Sequence, residues 1–275
     1  MKTMYLKITE QCNMRCPFCY IKQNNSIMSL DVALNACDKY KPDVVVFHGG
    51  EPLLYPDLIQ QIISKRPNLD FSITSNLTLP LTKERIEVLK KCGIATSYSA
   101  DRFNNITTFS CFLDNLYIVS KFTDITLLVT LSRNQLKQKP ERLAQILSML
   151  PCQYVLLERL YEPEYDRQLA IETDRYILSV SKLIPKNKNL LIHNMEKAVE
   201  SHTPVFSLDC NKNVITINPD GSIKSCPNIS NQTMKKRREC LLCQYYEYCK
   251  GDCLSFQNGC MFPKKTFQWV LNGEK

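Results

Sequence analysis

Between residue 1 and about residue 185 the chain alternates, six times over, between short β-prone runs and amphipathic stretches of helical period. The strand-like runs are YLKIT (5–9), DVVVFH (43–48), LDFSIT (69–74), IATSYSA (94–100), DITLLVTL (124–131) and QYVLLERL (153–160). Each is rich in Val, Ile, Leu, Thr or Tyr and bounded by breakers such as Pro42, Asn68, Gly93 and Pro151. Between them lie SLDVALNACDKY, YPDLIQQIISKR, TKERIEVLKKC, CFLDNLYIVSKF and QKPERLAQILSML. Ser29, with Asp31 in the first turn, predicts one helix start and Thr82 another. Strands joined through helices run parallel with right-handed crossovers, so this α/β region is expected to form a barrel or an open sheet.

The pattern changes near residue 186. KNKNLLIHN reads as polar and irregular, and after Pro204 seven cysteines follow between Cys210 and Cys260. VITINPDGSIKSC reads as a hairpin around a Pro219-Asp220-Gly221 turn. The expected division is residues 1–190 and 204–275, the second part too small for a core of its own and in need of metal staples.

Fourteen cysteines in 275 residues is the compositional anomaly. The N-terminus MKTMYLKITEQ lacks the apolar core of a signal peptide, and no run approaches a membrane span, so a cytoplasmic protein with no membrane association is expected. There, metal ligation or catalysis explains clustered thiols better than disulfides. Cys12, Cys16 and Cys19, in CNMRCPFCY, follow the first strand and supply three of the four thiolates an iron–sulfur cluster normally takes. A fourth iron would keep an open coordination position, as a catalytic zinc does. The competing reading is a zinc site with a distant fourth ligand. Cys37, Cys92, Cys111 and Cys152 fall on helix-like stretches or their ends and read as small buried hydrophobes.

CNMRCPFCY resembles the CxxxCxxC signature of the radical S-adenosylmethionine (SAM) superfamily. Gly49, Gly50, Glu51 and Pro52, after the second strand, resemble that family's GGEP motif, which contacts the SAM amino group. Glycines admit close backbone approach, and a carbonyl or carboxylate accepts from an ammonium. The resemblance implies a partial (β/α)6 TIM-like barrel with a small C-terminal cysteine-rich iron–sulfur domain. It places further SAM contacts at Ser75 and Asn76 after the third strand; Ser99 after the fourth is a further candidate or a helix cap, and Arg133 after the fifth a partner for the SAM carboxylate or a surface-loop arginine. Asp101 and Glu158 are the candidate catalytic residues, though Glu158 and Arg159 could equally form an ordinary ion pair. His48 is read as positioning the GGEP turn.

The spacing of Cys210, Cys226, Cys240, Cys243, Cys249, Cys253 and Cys260 resembles the seven-cysteine SPASM module of many radical SAM enzymes; a zinc ribbon is the rival. The resemblance implies two auxiliary 4Fe–4S clusters, one on Cys240, Cys243, Cys249 and Cys260, the other on Cys210, Cys226 and Cys253. Residues 196–209 hold no eighth cysteine, so the second cluster is expected to keep an open iron or to take Asp209, His202 or a substrate group. Pro227 stands where sulfatase-maturing relatives carry an aspartate, which disfavours that activity. The formal charge is +8. Ten thiolates and three cores of about +2 each would lower it to about +4, which weakens the case for nucleic acid. The run Lys235, Lys236, Arg237, Arg238 reads as a solvated loop.

The function so implied is reductive cleavage of SAM and hydrogen abstraction from a ribosomally synthesised peptide undergoing cross-linking or side-chain oxidation. The electron donor would be a flavodoxin or ferredoxin. With the first strand so near residue 1, a leader peptide would be recognised by a separate protein or a barrel surface. The rivals are oxidation or rearrangement of a small molecule, such as a sugar alcohol or amino acid, and a non-enzymatic electron carrier or redox sensor.

Overall fold

A computed structural model of the chain describes residues 2–17, 19, 21–99, 101–103, 105–159, 167–185, 188–190, 214–224 and 242. The six expected strands are β1 (Thr3–Thr9), β2 (Val44–Gly49), β3 (Asp70–Ser75), β4 (Gly93–Tyr98), β5 (Ile125–Leu131) and β6 (Tyr154–Arg159). They lie side by side in chain order, each parallel to its neighbour. Helices α1 (Leu30–Tyr40), α2 (Pro56–Lys65), α3 (Lys83–Leu89) and α4 (Ile106–Val119) make the first four crossovers. A short α5 (Arg133–Leu136) and α6 (Pro140–Met149) make the fifth, and α7 (Arg167–Ser181) follows β6.

The helix starts are encoded locally. Ser29 Oγ accepts from Val32 N at 3.2 Å, and Thr82 Oγ1 accepts from Arg85 N at 3.4 Å. Pro56 and Pro140 stand at the opening positions of α2 and α6, where a missing N–H is harmless. α1 ends on Lys41 in the left-handed conformation (φ 46°), its N–H returning to Cys37 O.

Three elements depart from the expected pattern. α4 begins at Ile106, well before CFLDNLYIVSKF, because Asn105 Oδ1 caps Thr108 N at 2.8 Å. α7 had no expected counterpart. Asn189–Leu190, in a stretch read as irregular, forms a short β7 parallel to β6. The expected hairpin is present as β8 (Val214–Ile217) and β9 (Ile223–Lys224), closed by Gly221 N to Asn218 O at 2.9 Å. Its β8 pairs parallel with β1, so the sheet order among the described residues is β7-β6-β5-β4-β3-β2-β1-β8-β9. No pairing joins β7 to β9 among these residues, and the barrel is open.

The two sheet faces differ. Met4, Leu6 and Ile8 of β1 lie level with Val45 and Phe47 of β2, and with Ile73, Ile94, Ile125 and Leu127 they form the buried core under the helices. Phe47 stacks on Phe71 at 5.4 Å. Complete burial of a side chain like Phe47 contributes about 2–3 kcal/mol. The inner face is half-buried and more polar, carrying Tyr5, His48, Ser72, Thr74 and Ser97. Apolar groups thus hold the sheet from outside while its interior can meet a polar ligand. No helix among the described residues is long and apolar enough to cross a membrane.

Candidate functional site

The site gathers at the carboxyl ends of β1 to β5, where parallel α/β sheets and barrels place their chemistry. Its frame is a backbone zip between the loops after β1 and β2. Gly50 N donates to Thr9 O and Glu51 N to Gln11 O, both at 2.8 Å. Neither glycine tolerates a side chain. A Cβ on Gly49 (φ +135°) would lie 2.2 Å from Thr9 O, and one on Gly50 would lie 1.9 Å from Gln11 O. Tyr55 Oη donates to Gln11 Oε1 at 2.8 Å, tying the same turn to the start of α2. With Gln11 N donating to Thr9 Oγ1 at 3.0 Å, the residue immediately before Cys12 is fixed through its N–H, its carbonyl and its side chain.

Cys12 and Cys16 are half-buried, and Cys19 is exposed; none is in a disulfide. Cys19 N donates to Cys16 O at 3.1 Å, closing the turn between them. The Arg15 guanidinium folds back onto Cys12 O at 2.9 Å and Met14 O at 3.1 Å, and also meets the Gln23 side chain. Burial raises the pKa of Cys12 and Cys16, and the charges of neighbouring cysteines raise it further. Donors oppose this: Met14 N donates to Cys12 Sγ at 3.4 Å, and Asn76 Nδ2 donates to the same sulfur at 3.7 Å. Among the described residues no three Cys, His, Asp or Glu side chains are drawn together tightly enough to chelate one ion. The three thiols instead stand around the loop, close enough to perturb one another. Partly open thiols with N–H donors aimed at sulfur fit the ligand set of an iron–sulfur centre.

Glu51 is fully buried, and its carboxylate turns toward β3. Oε1 accepts from Leu53 N (3.0 Å) and Ser75 Oγ (2.9 Å), while Oε2 accepts from Asn76 N (2.7 Å). Burial pushes its pKa up; the Asn76, Leu53 and Ser75 donors and the Arg102 charge pull it back. Ser75 and Asn76, expected as ligand contacts, are thus bound first to Glu51. Beyond them the chain turns through Leu77, which is buried at φ 53°. A left-handed leucine is strained by about 1–3 kcal/mol and needs support. Asn115 of α4 supplies it, donating to Leu77 O at 2.9 Å and Leu79 O at 2.8 Å.

At the end of β4, Ser99 is buried and accepts from Asp101 N at 3.3 Å. Asp101 is half-buried, and Asn134 Nδ2 after β5 donates to its Oδ1 at 2.8 Å. Arg133 begins α5 and is exposed. The side chain of Glu158 and the whole of Cys210, Cys226, Cys240, Cys243, Cys249, Cys253 and Cys260 lie outside the described residues, so both auxiliary-cluster assignments do too.

Sequence reading missed Arg102, which is 4% exposed. Its guanidinium donates to the backbone oxygen and hydroxyl of Ser97 and lies 5.6 Å from the Phe103 ring, while its Nε has no partner. Burial lowers its pKa, but a guanidinium stays charged in proteins. Its charge favours the Cys16 thiolate and acts on Glu51. Its position three residues after the SYS that closes the fourth strand-like run was the available signal. His48 stands level with Lys7 across the β1–β2 pair, edge-on to Tyr5 at 5.8 Å. Burial, and then the Lys7 ammonium, push His48 down to about 4, so it is neutral near pH 7.

Residues 6–115 match the model described as the radical SAM superfamily. An uncharacterized protein of Methanocaldococcus jannaschii is 34% identical over 113 residues, which is 37% of this chain and 39% of that protein's length. The chain thus aligns with well under half of that relative. A GTP 3′,8-cyclase of Clostridium perfringens is 25% identical over 259 residues, covering 81% of this chain and 80% of the cyclase. Among solved structures, Streptococcus suis SuiB superposes with a TM-score of 0.63 at 16% identity, covering 91% of this chain and 72% of SuiB. The same protein bound to S-adenosylmethionine gives 0.60. These structural likenesses are likenesses of fold.

Proposed function

We propose that the chain is a radical SAM enzyme acting on a ribosomally synthesised peptide. The observation that carries the radical SAM reading is the direct join between a loop of three free thiols after β1 and the GGEP turn after β2. Cys12, Cys16 and Cys19 would hold a 4Fe–4S cluster with one open iron. Cluster and SAM together supply one-electron cleavage of SAM to a 5′-deoxyadenosyl radical that takes hydrogen from the substrate. The protein's part is placement. The GGEP turn offers backbone oxygens to an ammonium at fixed distance from the thiols, and Glu51 locks that turn to β3. Arg102 offsets thiolate charge, while Ser99 and Arg133 follow strand ends where SAM's remaining polar groups would lie. The half-buried inner face would receive the substrate.

The test is anaerobic reconstitution with iron, sulfide, dithionite and SAM. Release of 5′-deoxyadenosine by the wild type, and none by Cys12→Ala, supports the proposal. Protein holding zinc and no acid-labile sulfide refutes it, and a loaded protein releasing no 5′-deoxyadenosine is a carrier or sensor.

The peptide class is supported by the likeness of the seven late cysteines to a module frequent in peptide-modifying enzymes. Two auxiliary clusters, a flavodoxin or ferredoxin donor and a separate leader-binding protein belong to the same reading. Small-molecule chemistry is the second reading, favoured by the likeness to GTP 3′,8-cyclase over 81% of the chain. Mass spectrometry of peptides encoded at the same locus, incubated anaerobically with the enzyme, separates the two: a mass change in such a peptide supports the first.

A further inference from the structure

We propose that Asn76 is a positioning residue for the cluster, its side-chain amide set by Asn13 and Thr78 to donate to the Cys12 sulfur and raise the cluster's reduction potential. The inference rests on the reading of Cys12 as a cluster ligand.

The orientation of the Asn76 amide is forced. Its Oδ1 accepts from Thr78 N at 2.9 Å and Thr78 Oγ1 at 2.6 Å, which uses both lone pairs. Its Nδ2 donates to Asn13 Oδ1 at 2.8 Å and to Cys12 Sγ at 3.7 Å, which uses both hydrogens. Asn13 is oriented in turn, because its Nδ2 donates to Thr78 Oγ1 at 2.8 Å. Turning either amide over would face oxygen to oxygen and N–H to N–H. The three side chains close a ring, and Asn76 and Thr78 are almost wholly buried. The backbone adds a second anchor through Asn76 N and Glu51 Oε2.

Asn13 lies between Cys12 and Cys16, so the ring clasps the thiol loop to the end of β3. An amide with every bonding position filled has nothing left for SAM unless the ring opens. It can act on the sulfur it already touches. N–H donors on cluster sulfurs spread the negative charge that reduction adds and favour the reduced state. The buried setting strengthens the bond.

The test is an EPR-monitored redox titration of the anaerobically reconstituted full-length protein, scoring only the signal that changes when SAM is added. Asn76→Leu removes the donor. Its midpoint is expected to fall by the equivalent of about a tenfold change in the reduced-to-oxidised ratio, or ~59 mV for one electron, with iron and sulfide retained. Thr78→Val keeps the donor but loosens its hold, and a smaller fall in the same direction is expected. An unchanged midpoint in Asn76→Leu overturns the proposal; where that variant loads no cluster, an unchanged midpoint in Thr78→Val overturns it. A wild-type protein with no SAM-responsive signal overturns the proposed function instead.

Discussion

Gly50→Ala tests the backbone zip that positions the thiol loop. The backbone at Gly50 lies outside the positive-φ region, so the substitution is punished by space alone. The new Cβ would start 1.9 Å from Gln11 O and 2.5 Å from Gln11 C, both main-chain atoms that no rotamer change can move. Bringing the first contact to 3.0 Å, the shortest that real Cβ atoms show, requires the loops to part by more than an ångström. The 2.8 Å bond from Glu51 N to Gln11 O does not survive that, and the bond from Gly50 N to Thr9 O is strained with it. The lost bond is worth about 1 kcal/mol, and a buried orphan N–H adds about 1–3 kcal/mol. The expected loss is therefore ~2–4 kcal/mol. At about 2–4 °C per kcal/mol for a domain of this class, the melting temperature drops by roughly 5–15 °C. The matched control is Gly93→Ala at the start of β4, whose Cβ would meet only Ser72 and Phe71 at 3.5–4.0 Å. That change is expected to stay within about 0.5 kcal/mol. Thermal unfolding by circular dichroism, with iron and sulfide content after reconstitution, reads both effects. A Gly50→Ala protein that melts with the wild type and loads as much iron refutes the argument that the two loops form one unit.

Three further changes probe the surrounding groups. Arg102→Met removes the cation that favours the Cys16 thiolate, so alkylation of Cys16 in the cluster-free protein, followed by mass spectrometry, should require higher pH than in the wild type. His48 has its pKa depressed in the fold, so the unfolded chain binds the proton more readily. Its contribution to stability is intact above about pH 6.5 and is lost as pH falls toward 4, by at most about 3 kcal/mol; urea titrations of His48→Gln should show a correspondingly flatter acid limb. Asn115→Ala strands two buried carbonyls and releases the left-handed Leu77, an expected loss of about 2–4 kcal/mol measured by chemical denaturation.

The strands were legible because their information is local. Alternating or continuous apolar runs between breakers located all six to within two residues at each end, and the cysteine and GGEP motifs fall at strand ends as their order implied. Helix caps of one residue, Ser29 and Thr82, were equally readable. What escaped depends on contacts between distant segments. Nothing around Glu51 shows that its carboxylate turns from the ligand side to bond the end of β3, 24 residues away. Arg102 looks like any loop arginine until β4 buries it beside the thiols. Asn13 and Thr78 acquire meaning only through Asn76, which joins segments more than 60 residues apart. The early start of α4 was hidden because Ile-Thr-Thr after Asn105 has strand-like chemistry, overridden by one cap.

The parallel pairing of β8 with β1 bears on how the molecule is made. The strand that leads into the thiol loop leaves the ribosome some 200 residues ahead of this second neighbour. At about 5–20 residues per second, that row of unpaired amides and carbonyls waits roughly 10–40 s for its partner. During that interval an open strand edge is a template for wrong associations, so a nascent chain stalled before Val214 should depend on chaperone protection far more than one stalled after Lys224.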